Sequence, residues 1–287
     1  QQMAWGMLTG VRPTKLAMHQ METGMSEAQA KAFLQEVYCV SEKKAELAVD
    51  IACREKALLS KLDYLNGFSL YVGIPFCPSI CSYCSFSSSP IDVWSPRMDD
   101  YLNALCIELH HIAKETEGKT LNTIYIGGGT PTTLTARQLE KLLNVIDELF
   151  LNKERGAELL EYTVEAGRPD SITKEKLEVI RRHPVTRISV NPQTMQQKTL
   201  DLVGRKHTVQ AVKDIFHLAR ELGFDNINMD LIAGLPGENA EDMRDTLRQI
   251  EELSPDSLTV HSLAIKRAAR MAQEQPVRDL HTEITEM

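Results

Sequence analysis

No stretch of this sequence approaches the ~18 consecutive apolar residues of a membrane-spanning helix, so no such span is expected. The opening Gln1-Gln2-Met3 has neither the basic nor the apolar segment of a secretory signal, and none is read there. Position 1 is not a methionine, and the chain ends abruptly at Met287, so a fragment of a longer protein is expected. Internal repeats and low-complexity tracts are missing. Positive charge is in deficit, with 32 Lys and Arg against 40 Asp and Glu and a net charge of −8. That balance does not favour a nucleic-acid binder. Cysteine is too sparse and too unevenly spread for a secreted disulfide scaffold, because three of the six sit within eight residues. A reducing, cytoplasmic setting with a metal site accounts for that clustering better.

What the chain does have is 287 residues, 43% of them hydrophobic and 25% charged, enough for one sizeable domain and a smaller appendage. Residues 1–66 read as helical. From Ser26 to Leu62, apolar residues such as Phe33, Leu34, Val37, Leu47, Ile51, Leu58 and Leu62 recur at helical spacing, and Gly67 ends the stretch. From residue 68, short apolar runs alternate with amphipathic helices. The runs are Leu70–Ile74, Thr123–Ile126, Tyr162–Val164, Arg187–Val190, Ile227–Ile232 and Leu258–Val260. Thr135 and Gln138 form a capping-box spacing ahead of Leu139, Leu142, Leu143, Ile146, Leu149 and Phe150 on one face. Met243, Leu247, Ile250 and Leu253 repeat the pattern before the last run. The alternation predicts βαβ units and a parallel sheet. Six strands rather than eight predict an open barrel, or one completed by sequence beyond this chain.

In such a barrel, chemistry collects at the carboxyl ends of the strands. The unusual polar and glycine-rich stretches do follow the runs: Cys77–Cys84, then Gly127-Gly128-Gly129-Thr130-Pro131, Glu165, Asn191-Pro192-Gln193, Asp230 with Gly234–Gly237, and His261. The densest is Cys77-Pro-Ser-Ile-Cys81-Ser-Tyr-Cys84. Thiolates suit iron–sulfur clusters and zinc. A [4Fe–4S] cluster ordinarily takes four cysteines, so three leave one iron open to an outside ligand. Zinc needs a fourth ligand such as histidine, and none lies between Asn66 and Leu109. The plain alternative, three structural cysteines, gains little in a loop of small residues.

Cys-x3-Cys-x-Tyr-Cys after a first strand, with Tyr-Ile-Gly-Gly-Gly-Thr-Pro after a second, resembles the radical S-adenosylmethionine (SAM) superfamily. Arg187-Ile-Ser-Val, Gly204-Arg205-Lys206-His207-Thr208 and Asp230-Leu-Ile-Ala-Gly-Leu-Pro-Gly237 are similar, in order, to its oxygen-independent coproporphyrinogen III oxidase group. Trp5–Pro13 and Val260–Arg270 point to that group's divergent coproporphyrinogen dehydrogenase-like branch. The likeness runs from about Gly67 to Ala264. It implies a partial (β/α)6 TIM-like radical SAM barrel over 67–264, a helical N-terminal region over 1–66, and a polar tail over 265–287 cut before a C-terminal domain.

The resemblance also implies roles. Cys77, Cys81 and Cys84 would hold a [4Fe–4S] cluster whose open iron binds SAM, and the electron would come from a reduced flavodoxin or ferredoxin-type donor. Gly128, Gly129 and Thr130 would lie near the methionine end of SAM, glycine permitting close backbone approach. Glu165 would bind the ammonium or a ribose hydroxyl, in place of a surface salt bridge. Gln193 and Asp230 would bind the ribose hydroxyls, Asp230 otherwise being a buried carboxylate in need of partners. Arg205 would bind the SAM carboxylate, its competitor being an exposed arginine at a helix start. Tyr71 and Tyr83 would flank the cluster, with simple packing an equal reading for Tyr83, and Ala264 would line the adenine pocket. His207 and His261 read as histidines satisfied by local hydrogen bonds. Cys39, Cys53 and Cys106 read as small core residues. Arg12, Lys266, Arg267 and Arg270 read as solvated surface before ligands for substrate carboxylates.

The well-known oxidases of this group carry a fourth cysteine two residues after the third, where this chain has Phe86. The related haem-handling proteins also lack it. Three functions follow as expectations. The first is oxidative decarboxylation of a tetrapyrrole, coproporphyrinogen III, to protoporphyrinogen IX in haem biosynthesis. The second is haem binding without oxidase activity. The third is radical modification of RNA, which the acidic balance disfavours.

Overall fold

All six apolar runs become strands in the computed structural model, which describes residues 3–8, 12–63, 65–151 and 159–274. They are β1 (Gly67–Ile74), β2 (Thr120–Gly128), β3 (Glu161–Gly167), β4 (Arg187–Val190), β5 (Ile227–Ala233) and β6 (Ser257–Ser262). Each pairs in parallel with its sequence neighbour, so the spatial order equals the chain order. β1 and β6 are the two edges, and they do not pair with each other among the described residues. The result is an open half-barrel of the (β/α)6 kind, as the sequence predicted.

Alternation along each strand separates two faces. On β1, Leu70, Val72 and Ile74 are buried, while Tyr71 between them is 62% exposed on the concave face. The buried set meets the helices that follow the strands. One of these, α4 (Met98–Glu115), buries Met98, Leu102 and Leu109. The next, α5 (Ala136–Phe150), starts on the expected capping box of Thr135 and Gln138 and buries Leu139, Leu142, Leu143, Ile146 and Phe150. Each fully buried leucine or phenylalanine contributes roughly 1.5–3 kcal/mol, so this face alone anchors the first half of the sheet. The helix before β6, α9 (Ala240–Leu253), departs from expectation at one position. Leu247 is 37% exposed, and Thr246 is buried in its place. The reason is polar: the Thr246 hydroxyl accepts from the Met195 amide at 3.3 Å and meets Thr194 Oγ1 at 3.4 Å. Between α5 and α9 lie α6 (Lys174–Arg182), α7 (Gln197–Leu202) and α8 (Val209–Glu221).

The chain divides into a helical unit ending at Asn66 and this α/β unit from Gly67 on. The helical unit is three helices, not one long run: α1 (Pro13–Glu22), α2 (Glu27–Tyr38) and α3 (Glu42–Leu59). Its core corrects the periodicity argument. Val37, Leu47 and Leu58 are 47%, 42% and 67% exposed, and the buried seam is Ala17, Ala30, Leu34, Ala45, Ala48, Val49 and Ala52. Alanines let the helices approach closely, and large side chains are left outside. Cys39 is exposed, because it ends α2 in a left-handed turn at φ 56°. Cys53 and Cys106 are only half-buried, so none of the three is the core residue expected. Cys53 touches Met21 Sδ at 3.9 Å.

The polar tail expected over 265–287 folds in part: Ala269 and Met271 are buried, and the Met271 amide donates to the Ser82 carbonyl at 2.8 Å. Residues 275–287 lie outside the described residues. Among the described residues, no helix is long and apolar enough to cross a membrane.

Candidate functional site

β1 delivers the cysteine loop. Phe76–Cys77 forms a two-residue parallel ladder with Ser89–Pro90, and the Ser89 amide closes the loop on the Pro75 carbonyl at 2.9 Å. Cys77 and Cys81 are buried and Cys84 is half-buried. Burial does most to push the Cys84 thiol up, and the charges of Cys81 and Cys77 push it further. No group of three His, Cys, Asp or Glu side chains converges as a single-ion site among the described residues. A single zinc ion would draw its sulfurs to within about 4 Å of one another, given Zn–S bonds of ~2.3 Å. A cluster, in which each thiolate takes a different iron, asks for a wider setting.

The loop after β2 runs beside the cysteines. Gly129 and Thr130 donate their amides to the Ile74 and Phe76 carbonyls, both at 2.8 Å. A Cβ at Gly128, whose φ is +105°, would sit 2.9 Å from the Ile74 nitrogen. One at Gly129 would sit 2.6 Å from the Phe76 oxygen and 3.0 Å from Cys77 Sγ. Thr130 is 1% exposed, and its hydroxyl donates to Cys77 Sγ at 3.6 Å. The Gly-Gly-Thr sequence therefore seats Cys77, whatever else it does.

Two buried guanidinium groups converge on Cys81. Arg205, 4% exposed, directs Nη1 to Cys81 Sγ at 3.8 Å and to Tyr83 Oη at 3.3 Å, and its Nη2 donates to the Asn191 carbonyl. It is not the exposed arginine that was its alternative. Arg168, also 4% exposed, sends Nη1 to Cys81 Sγ at 3.7 Å. Tyr83 serves both readings, since it also packs on Val203, Ile232, Leu235 and Met271. His207 is buried, and its local contacts are weak, a backbone hydrogen bond with Pro192 being the one that bears on its charge. Neither ring nitrogen makes a hydrogen bond of good geometry, and Asp170 Oδ1 lies 4.0 Å from Nδ1. Burial pushes its pKa down to about 4, the Arg205 charge adds to the shift, and Asp170 opposes it. The ring is thus neutral beside two guanidiniums.

A carboxylate pair lies on β3 and β5. Glu165 accepts a hydrogen bond from Tyr125 Oη. Burial raises the Glu165 pKa, the Tyr125 hydrogen bond opposes the rise, and the Asp230 charge adds to it. Asp230 is half-buried rather than enclosed, and Asn228 Nδ2 donates to it at 2.7 Å. Asn228 is itself held, its Oδ1 accepting from Arg187 Nη2, Ser257 Oγ and Thr259 Oγ1 at 3.0, 2.9 and 3.2 Å. Tyr71 stacks on Tyr125 with centroids 5.8 Å apart. A Cβ at Gly127 would fall 2.6 Å from the Tyr125 ring and 3.5 Å from the Glu165 carboxyl carbon, so this glycine leaves room for the pair. Glu165 forms no ion pair with a basic side chain among the described residues.

Between the two groups, Gln193 holds a left-handed backbone at φ 69° and bridges to Leu231. Its Oε1, together with Asn191 Oδ1 and Arg205 Nε, is buried with no partner. Such orphaned atoms suit a polar ligand. His261, Ala264, Lys266, Arg267 and Arg270 are exposed at and beyond the end of β6, while Arg12 belongs to the helical unit as the residue capping α1. Sequence reasoning did not name Arg168, Asp170, Tyr125 or Asn228. Arg168-Pro169-Asp170 directly follows β3, the position where polar residues gather in such a barrel, and that was the available signal. The donor set, three thiols flanked by two cations with unpaired polar atoms alongside, fits a cluster with a polar, zwitterionic ligand.

The model of the Radical SAM superfamily matches residues 71–250. The oxygen-independent coproporphyrinogen-III oxidase-like protein HemZ of Bacillus subtilis is 42% identical over 275 residues, covering 94% of this chain and 54% of that protein. The heme chaperone HemW of the same organism is 38% identical over 198 residues, covering 69% of this chain and 51% of the relative. Among solved structures, coproporphyrinogen III oxidase (HemN) from Escherichia coli, described as a radical SAM enzyme, aligns with a TM-score of 0.67 and 30% identity, over 80% of this chain and 54% of that one. The chain spans about half the length of the curated relatives it matches.

Proposed function

The chain belongs to the radical SAM superfamily, within its coproporphyrinogen oxidase-like group, and on that premise we propose that it acts on a tetrapyrrole by oxidative decarboxylation of coproporphyrinogen III. The cofactors of this family are a [4Fe–4S] cluster and SAM. The observation that carries the reading is that one short stretch, Gly127-Gly128-Gly129, runs past the Glu165 carboxyl at one end and Cys77 Sγ at the other, 3.5 and 3.0 Å from where Cβ atoms on Gly127 and Gly129 would stand. When bound, the cluster supplies the electron that divides SAM into methionine and a 5′-deoxyadenosyl radical. The chain's own residues hold the parts. The three thiolates would bind the metal, and Arg205, whose Nε is buried without a partner, would bind the SAM carboxylate. Glu165 would take the ammonium or a ribose hydroxyl, Gln193 and Asp230 would take ribose hydroxyls, Tyr71 and Tyr83 would flank the cluster, and Ala264 would line the adenine pocket. On the substrate, a propionate side chain would lose a hydrogen atom to the 5′-deoxyadenosyl radical, then carbon dioxide and one electron, the electron passing to an external one-electron acceptor, and a vinyl group would remain. A reduced flavodoxin or ferredoxin-type protein supplies the reducing electron. Anaerobically reconstituted protein given SAM, reductant and coproporphyrinogen III is expected to release carbon dioxide and 5′-deoxyadenosine. SAM cleavage without carbon dioxide defeats the oxidase reading.

A second reading, haem binding without oxidase activity, is favoured by one observation. Phe86, where those oxidases carry their fourth cysteine, is 70% exposed, and a named heme chaperone is among the relatives. Stoichiometric haem binding with no porphyrinogen turnover supports it.

The carboxylate pair gives a pH test. Tyr125 donates to Glu165 and so opposes the rise of its pKa. Glu165 must be ionised to hold a cation, so affinity falls as pH drops through its folded pKa. In Tyr125→Phe the pKa rises further and the acid limb of SAM binding moves to higher pH. A lost hydrogen bond to a charged group, ~1.5 kcal/mol, corresponds to roughly tenfold weaker binding. Isothermal titration across pH 5.5–8 checks both effects, and an unmoved acid limb removes Glu165 from ligand binding.

A further inference from the structure

We propose that Arg168 is a positioning residue for the cluster: held by Asp170, it fastens the cysteine loop to the end of β3 and donates toward the Cys81 sulfur, which makes reduction of the cluster easier. This rests on the cluster reading above.

Arg168 follows β3 directly and is 4% exposed. Asp170 grips it as a fork, Nε to Oδ1 at 3.0 Å and Nη2 to Oδ2 at 2.7 Å. Burial works against the Asp170 carboxylate, yet its hydrogen bond and ion pair with Arg168 hold its pKa below the usual range. Two of the guanidinium nitrogens are thus committed to Asp170, and the third is aimed. Nη1 donates to the Ser79 carbonyl at 2.8 Å, to Ser79 Oγ at 2.9 Å and toward Cys81 Sγ at 3.7 Å. Ser79 Oγ in turn donates to the Gly204 carbonyl at 3.1 Å, which ties the same loop to the segment carrying Arg205. The base of the arginine is fixed as well, since Ser171 Oγ donates to the Arg168 carbonyl at 2.8 Å. A fork of fixed shape is what arginine offers and lysine does not.

A purely structural ion pair would need no nitrogen directed at a sulfur. Here one thiolate of the three receives N–H groups from two cations, Arg168 and Arg205. Hydrogen bonds to cluster sulfurs and nearby positive charge stabilise the reduced, more negative state. Cys77 instead meets a neutral hydroxyl, that of Thr130. The metal's environment is therefore polarised toward the Cys81 corner.

The test compares wild type, Arg168→Lys and the double variant Arg168→Met with Asp170→Asn. The double variant avoids leaving a buried carboxylate unpaired. Iron and sulfide content, the electron paramagnetic resonance signal and the cluster midpoint potential are measured anaerobically. In both variants reduction is expected to become about tenfold less favourable, a shift of about 59 mV to lower potential for one electron. A potential equal to wild type in folded, iron-loaded Arg168→Lys overturns the proposal. If the double variant fails to fold, Arg168→Lys decides alone. If wild type itself takes up no iron, the cluster reading fails. The fastening of the loop is then read from the metal-free protein. Cys81 alkylation at least tenfold faster in Arg168→Lys supports it, and an equal rate overturns it.

Discussion

Cys81→Ser is expected to leave the chain folded and strip it of iron. The thiolates of Cys77, Cys81 and Cys84 are the only cysteines of the loop, and a three-ligand cluster has none to spare. Serine matches the volume, so packing around this buried position is conserved. Its hydroxyl is a hard and poorly ionised ligand where iron in a sulfide cluster prefers a soft thiolate. Loss of an outer-shell partner costs metal sites about 10–100-fold, so loss of a ligand itself should bring retained iron below about a tenth of wild type and SAM cleavage below detection. The cations make the effect sharper at this corner. Arg168 and Arg205 each direct an N–H at Cys81 Sγ, and without an anionic sulfur both buried guanidiniums lose part of their compensation. Iron and acid-labile sulfide after anaerobic reconstitution, with far-ultraviolet circular dichroism as the folding control, decide it. Cys39→Ser, Cys53→Ser and Cys106→Ser are the matched controls, since none of these residues lies in the loop, Cys39 is exposed and the other two are only partly buried. They should keep iron at wild-type levels. Full iron retention by Cys81→Ser would dismiss the three-thiolate centre.

The parts of this site that were legible in the sequence share one property: their chemistry is written in local spacing. Three cysteines in eight residues, three glycines after an apolar run and a carboxylate inside one are visible without knowing what they touch. The six strands were legible for the same reason, since a short apolar run between polar and glycine-containing stretches is a local signal. Arg168 was not, because its meaning lies in a contact with Cys81 across 87 positions of sequence. Asp170 was hidden behind it, an acidic residue at the start of a turn like many others. Thr246 was missed because a hydroxyl bonded to the Met195 amide outweighed the leucine beside it. The alanine seam of the helical unit was missed because periodicity weighs large apolar side chains, while close helix approach selects small ones.

Gly129→Ala is expected to be as damaging to iron binding as removal of an outer-shell partner, and it separates two explanations of the glycine run. Gly129 has no left-handed backbone, so alanine meets no conformational penalty there. The cost is contact. The new Cβ would fall 2.6 Å from the Phe76 oxygen, 2.9 Å from its carbonyl carbon and 3.0 Å from Cys77 Sγ. Two of those atoms are backbone and cannot rotate aside, and they belong to the residue whose carbonyl accepts the Thr130 amide at 2.8 Å. Either the end of β2 or the start of the cysteine loop must move. Overpacking of this kind costs roughly 1–3 kcal/mol, and metal sites hold their ligands to within about 0.2 Å. A displaced Cys77 should therefore lower iron retention by about tenfold together with the melting temperature. Gly24→Ala is the contrast. Gly24 has φ +105° with nothing within 4 Å, so alanine strains the backbone without crowding anything. It should lower stability by about 1–2 kcal/mol and leave iron untouched. If Gly129→Ala keeps its iron but binds SAM poorly, the glycine serves approach to the bound ligand and not the seating of Cys77. Loss of both, with iron lost first on titration with chelator, places its role in the loop.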